Sequence, residues 1–338
     1  MEKTATKRFF YIDFLRATAI LGVMITHSLA LFLGPAGINS TWNYLHFVVV
    51  AFVFCSGYVT VYTYKHINNG KSLLTWYKKR FIRLYLPYIF YLLIYTFLAG
   101  RSINLNVRYF LDSITLTGGA DIGWLTLLFL QFAVLTPILV MISRNRNRLI
   151  VGLTLCGLFA LMTTVVRIPA SYSRAVAWFP WLFIFLLGIY FEQKKLYENT
   201  RTRYFFILGI GSFCMWFMFT QILNHLNHPL TLTLHKYPPD IYYFLYGIGI
   251  NSILLGIVKV WKNPGKHLNS IITFVSKYSY GMFFLHLVIL QIITKLFVNI
   301  HVIPLTLVSV IGTIGVLWSW NFFFSFAKNY VSSINGKR

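Results

Sequence analysis

Ten apolar runs, each close to the ~20 residues a helix needs to cross a bilayer, recur along this chain. No other feature constrains its fold as strongly. The runs lie near 9–33, 42–64, 84–100, 122–142, 149–166, 176–193, 204–223, 240–261, 272–297 and 303–326. In hydrocarbon every backbone N–H and C=O must be bonded internally, so such runs become helices. Of 338 residues, 57% are hydrophobic and only 11% are charged, against about 25% charged in soluble domains. A soluble chain this apolar would expose more sticky surface than it tolerates, which excludes soluble enzymes, disordered chains and disulfide scaffolds. The expected fold is an all-α polytopic membrane protein of about ten transmembrane helices, forming a single domain over 1–338.

A net charge of +23 would point to nucleic acid in a soluble protein. Here the Lys and Arg residues sit in short connections between apolar runs, so no nucleic-acid partner is expected. With ten crossings, alternate connections carry 23 cations on one side and 6 on the other, and Arg16 lies inside the first run. By the positive-inside rule both termini are expected to be cytoplasmic. Lys3, Lys7 and Arg8 before an apolar run resemble a signal peptide, but Asp13 and Arg16 interrupt that run and a second span follows at once. An uncleaved first helix is therefore expected. Cys55, Cys156 and Cys214 lie far apart inside apolar runs and read as small buried hydrophobes. His225, His228 and His235 share one loop, but that loop is broken by proline and has no nearby acids, so no metal is expected. In 65–83, Leu73, Leu74, Trp76, Tyr77, Phe81 and Ile82 interleave with basic residues. This pattern predicts a short cytoplasmic helix lying in the membrane interface.

Ionisable residues inside a span are expensive and become functional candidates by default. The first run holds Asp13, Arg16 and His27. Eleven residues return a helix to nearly the same face and advance it ~16 Å. Arg16 and His27 therefore share one stripe, near opposite ends of the span. Asp13 lies one turn before Arg16 and is placed to hold its guanidinium. A buried Asp–Arg pair beside a satisfied histidine accounts for the same spacing.

Several segments, in order, resemble the membrane-bound acyltransferase-3 family. The opening Tyr11-Ile-Asp-Phe-Leu-Arg16 with His27 is similar to its first motif. Phe54-Cys-Ser-Gly-Tyr58 resembles its Phe-x-Ser-Gly-Tyr, and Arg80-Phe-Ile-Arg83 resembles its Arg-x-x-Arg element. Gly123-Trp124 leading to Pro137, Tyr237-Pro-Pro-Asp240 and Ser279-Tyr-Gly-Met-Phe-Phe-Leu-His286 are similar to later segments. The resemblance covers essentially the whole chain. It implies transfer of an acyl group, usually acetyl, from cytoplasmic acetyl-CoA or another acyl-CoA to a hydroxyl of a sugar or glycan, in a bacterial plasma membrane. Some members carry an extracellular SGNH-type domain, and none is expected here. The group then goes directly to the acceptor or to a separate acyl-accepting partner.

The chemistry of the residues fits that expectation. Removing a hydroxyl proton needs a base, and His27, an imidazole, suits that role. Arg80 and Arg83, three residues apart, can fork onto the phosphates of coenzyme A. Both would equally serve as positive-inside anchors. Arg16 either guides the donor or stabilises the developing oxyanion, with Asp13 orienting it. His286, Asp240 and Ser56 are candidate substrate contacts. Against these roles, His286 reads as a satisfied core histidine, Asp240 as part of a helix opening, and Ser56 as a packing partner beside Gly57. The rival functions are a non-enzymatic polysaccharide or glycolipid exporter or flippase, and a subunit that only supplies acyl groups to another enzyme.

Overall fold

The computed structural model describes residues 9–64, 67, 69–99, 107–166, 174, 176–261 and 264–335. The cations at 3, 7, 8, 65, 101, 167, 262, 337 and 338 lie outside these residues. The helices, in order, are α1 Phe10–Leu29, α2 Ala36–Tyr44, α3 Val48–Tyr64, α4 Gly70–Ala99, α5 Val107–Ile114 and α6 Gly123–Arg144. They continue with α7 Arg146–Val165, α8 Trp178–Gln193, α9 Thr202–His225, α10 Ile241–Val260, α11 Lys266–Leu296 and α12 Val302–Asn335. A single extra turn, Leu196–Asn199, precedes α9. No strand occurs among the described residues, so the chain is an all-α polytopic membrane protein.

Nine segments among the described residues are long and apolar enough to cross a membrane. The expected sixth crossing, 176–193, is a helix of only 16 residues, about 24 Å long. Most of α8 is buried inside the protein, so it does not have to span the lipid by itself. A second difference concerns 65–83. Its basic stretch is helical, but it is not a separate interfacial element. Residues from Gly70 onward run unbroken into the third span as the 30-residue α4. Good helix formers fill this stretch, and Pro87 lies inside the helix without ending it.

The bundle is layered by burial. α1 lies at the centre, packed against α3, α10, α11 and α12. α7, α9 and α12 carry exposed Leu155, Ile207, Phe217 and Ile311, the apolar outer surface expected of a helix facing lipid. α3 and α8 approach at backbone distance, because a Cβ on Gly57 would lie 2.0 Å from Phe185 O and one on Gly188 would lie 2.3 Å from Phe54 O. This is the packing role expected around Ser56-Gly57. Side-chain caps set other boundaries. Asn145 accepts from Asn147 N and Arg148 N at the start of α7, and Asp240 accepts from Tyr243 N at the start of α10.

Candidate active site

Two groups of cavities lie along α1. The first faces the end where the basic connections gather and has a volume of about 120 Å³. Arg16 from α1 and Arg80 and Arg83 from α4 line it, with Ser56, Thr60 and Thr63 from α3 and Ser279 and Tyr280 from α11. Among the described residues, none of the three arginines forms an ion pair. Arg80 packs over the Trp76 ring at 5.2 Å and reaches Thr63 Oγ1 only at 3.4 Å. Three guanidinium groups around one cavity, none of them ion-paired among the described residues, give it the chemistry to hold an anion. Tyr280 ties the walls together by donating to Leu84 O at 2.7 Å, with Thr126 Oγ1 at 3.1 Å.

The second group surrounds His27, toward the far end of α1. A cavity of about 390 Å³ is lined by His27, Tyr91, Tyr95, Tyr109, Asp121 and Gln291, among others. A smaller one, about 110 Å³, holds His27, His46, Asp121, Trp124, Lys236 and Tyr237. Phe52, Leu125 and Phe283 line both this small cavity and the arginine cavity. An apolar partition of three side chains, drawn from α3, α6 and α11, therefore separates the arginines from His27.

His27 is held in a defined tautomer. His286 Nδ1 lies 2.8 Å from Met282 O, one turn earlier on α11. A carbonyl only accepts, so His286 Nδ1 carries the proton and its Nε2 carries the lone pair. His27 Nδ1 lies 2.8 Å from that Nε2, with the ring planes 11° apart. His27 Nδ1–H is thus the donor, which leaves His27 Nε2 as the nitrogen able to take a proton.

Several expected placements change. His286 is fully buried and lines none of these cavities, so it supports His27 from behind and does not touch a substrate there. Arg16 lines neither cavity that contains His27 and is grouped instead with Arg80 and Arg83. The Asp13–Arg16 pair is not formed. Asp13 Oδ1 accepts from Ser276 Oγ at 2.5 Å, which ties α1 to α11. Ser56 does line the arginine cavity. Asp240 is buried as the N-cap of α10, with its second oxygen hydrogen-bonded to His235 Nδ1, so both of its oxygens are engaged within the protein and it lines none of these cavities. His235 Nε2 in turn donates to Pro229 O at 2.6 Å.

Four other cavity-lining residues, Asp121, Tyr91, Tyr95 and Lys236, carry little signal in the sequence. Asp121 enters both outer cavities, held by Arg174 Nη2 at 3.1 Å, and Arg174 Nη1 also donates to Gly118 O at 3.0 Å. Tyr91 and Tyr95 looked like ordinary span aromatics, and Lys236 like one more outer cation.

Among the described residues the chain is a helical, multi-pass membrane protein with a tautomer-fixed histidine on one side of an apolar partition and three arginines on the other. The acyltransferase-3 profile, described as an acyltransferase domain, matches residues 9–323, and the chain belongs to that family. No curated protein and no solved structure matches the chain.

Proposed function

We propose that this protein is an O-acyltransferase of the bacterial plasma membrane. It moves an acetyl group from cytoplasmic acetyl-CoA to a hydroxyl of a cell-surface glycan or its lipid-linked precursor. One observation supports the reading: His27 Nδ1–H is held by His286 so that its Nε2 is the acceptor nitrogen, and Phe52, Leu125 and Phe283 line both its smaller cavity and the cavity of three arginines that form no ion pair among the described residues.

The donor's phosphates bind Arg16, Arg80 and Arg83, and its thin thioester arm passes the partition toward His27. The acceptor lies in the larger cavity, where Tyr91, Tyr95 and Tyr109 offer aromatic faces and Gln291 offers hydrogen bonds. His27 Nε2 takes the hydroxyl proton as the oxygen attacks the thioester carbon. The proton then leaves with the CoA sulfur as the C–S bond breaks. His286 stabilises the imidazolium formed in between, because His27 Nδ1–H remains bonded to its lone pair. The small cavity of about 110 Å³ beside His27 favours a short acyl group.

The test is ester content on purified surface glycan, measured by NMR. A host lacking the gene is compared with the same host carrying wild type or His27→Ala at matched membrane levels. Esters restored by wild type alone support the proposal and identify the acceptor. Equal ester content in all three, with less glycan at the surface when the gene is absent, would instead indicate export.

A further inference from the structure

Lys236 is a cation in an unusual position. It is 9% exposed. Among the described residues its ammonium forms no ion pair and no side-chain hydrogen bond. Its recorded contacts are with the faces of Trp124 and Tyr237, each 4.9 Å from Nζ. A buried ammonium without an acceptor is costly and is retained only where something answers its charge.

Its turn is rigidly built. The main chain bridges Lys236 to Pro239, and Asp240 N donates to His235 O at 3.2 Å. Asp240 is locked to His235 while it caps α10, and Asn43 Oδ1 accepts from Leu232 N at 2.8 Å. These contacts fix Lys236 against the small cavity on the far side of the partition. Lys236 lines that cavity together with His27, and it does not line the larger tyrosine cavity. The carbonyl of a thioester emerging past Phe52, Leu125 and Phe283 enters this small cavity first.

Resting on the acyl-transfer reading above, we infer that Lys236 is a catalytic residue whose ammonium stabilises the oxyanion formed when the acceptor attacks the thioester. In that step the acceptor oxygen bonds to the carbonyl carbon and its proton goes to His27 Nε2. The C=O π pair moves onto the carbonyl oxygen, which accepts a hydrogen bond from Lys236 Nζ–H. Collapse re-forms the carbonyl and expels the CoA sulfur, which takes the proton back from His27. No other reactant is needed. The aromatic faces of Trp124 and Tyr237 hold the ammonium in place, and the nearby Asp121 carboxylate is ion-paired to Arg174 and not to Lys236.

The protonation of Lys236 sets a signature. Burial pushes its ammonium down to about 8, while the Asp121 carboxylate works the other way. The groups facing it are His27 on α1, His46 in the turn before α3, Asp121 before α6 and Tyr237 on its own turn. Arg174 already holds Asp121. Transfer should therefore fall as pH rises through about 8, where Lys236 loses its charge.

The experiment uses the full chain in lipid nanodiscs, acetyl-CoA, and glycan extracted from a host lacking the gene. Release of CoA and formation of glycan ester are followed from pH 6 to 10. Lys236→Met should lower kcat about 100-fold or more, the loss typical of an oxyanion donor. KM for acetyl-CoA should stay within about 2-fold, and the fall in rate above pH 8 should disappear. Lys236→Arg, which keeps its charge across this range, should retain more activity than Lys236→Met and hold it to higher pH. A Lys236→Met enzyme with wild-type kcat, a loss seen only in KM, or an unchanged alkaline limb would overturn the inference. If His27→Ala is inactive while Lys236→Met is normal, the inference fails and the acyltransferase reading stands. If wild type releases no CoA and forms no ester, both fall together.

Discussion

Replacing His286 with leucine tests the support His286 gives His27 directly. The substitution keeps most of the side-chain volume, so packing losses stay small, but it removes the lone pair that His27 Nδ1–H uses at 2.8 Å. In the transition state His27 is becoming an imidazolium, so the lost hydrogen bond is a charged one. Such bonds contribute about 1.5–3 kcal/mol. At ~1.4 kcal/mol per decade, kcat should fall roughly 10- to 150-fold. KM for acyl-CoA should not move, because His286 is absent from the lining of the arginine cavity. His286→Gln, whose amide oxygen offers an acceptor, should recover part of the loss. His27→Ala should cost more, about 100- to 10,000-fold. The double variant His27→Ala/His286→Leu should be no worse than His27→Ala alone, since the two rings act as one unit. The assay is CoA release by purified protein in nanodiscs, with kcat and KM resolved. Wild-type kcat in His286→Leu, or full additivity in the double variant, would refute that support.

Arg80→Gln and Arg83→Gln should each weaken acyl-CoA binding by about 10- to 150-fold through loss of a charged phosphate contact. Binding of an acyl-pantetheine that lacks the nucleotide phosphates should hardly change, and equal losses for both ligands would leave the arginines as topology anchors. Gly57→Ala should prevent stable folding, because the added Cβ would meet Phe185 O of α8 at 2.0 Å with only backbone available to yield. Near-normal yield and melting temperature would show that α3 and α8 separate easily. Lys236→Met should stabilise the protein. The folded-state value of about 8 lies below the ordinary 10.5, so between those limits the unfolded chain binds more protons and wild-type stability rises with pH. Below pH 8 the charged form carries its full burial penalty, about 3–4 kcal/mol at ~1.4 kcal/mol per pH unit. Lys236→Met should melt higher there and lack that slope, and parallel melting-versus-pH curves would contradict the assignment.

The features legible in the sequence are those set by local spacing. Apolar run length marked the spans, and the eleven-residue interval placed Arg16 and His27 on one stripe of α1. An aspartate directly before an apolar helix read as part of its opening, and Asp240 is the cap of α10. Other features depend on distant partners. Asp13 was expected to pair one turn along its own helix, yet it bonds Ser276, 263 residues away. Phe52, Leu125 and Phe283 looked like span residues, and only their convergence from three helices makes a partition. Charge counting assigned Lys236 to a side of the membrane, but it carries no information on whether a cation finds a carboxylate. That absence of partners gives the site its logic. Cations that form no ion pair among the described residues on one side of an apolar partition, and a buried lysine on the other, fit, on the proposed mechanism, a ligand that brings its own negative charge: standing phosphate charge at Arg16, Arg80 and Arg83, and a transient oxyanion at Lys236. A neutral solute being exported would answer neither.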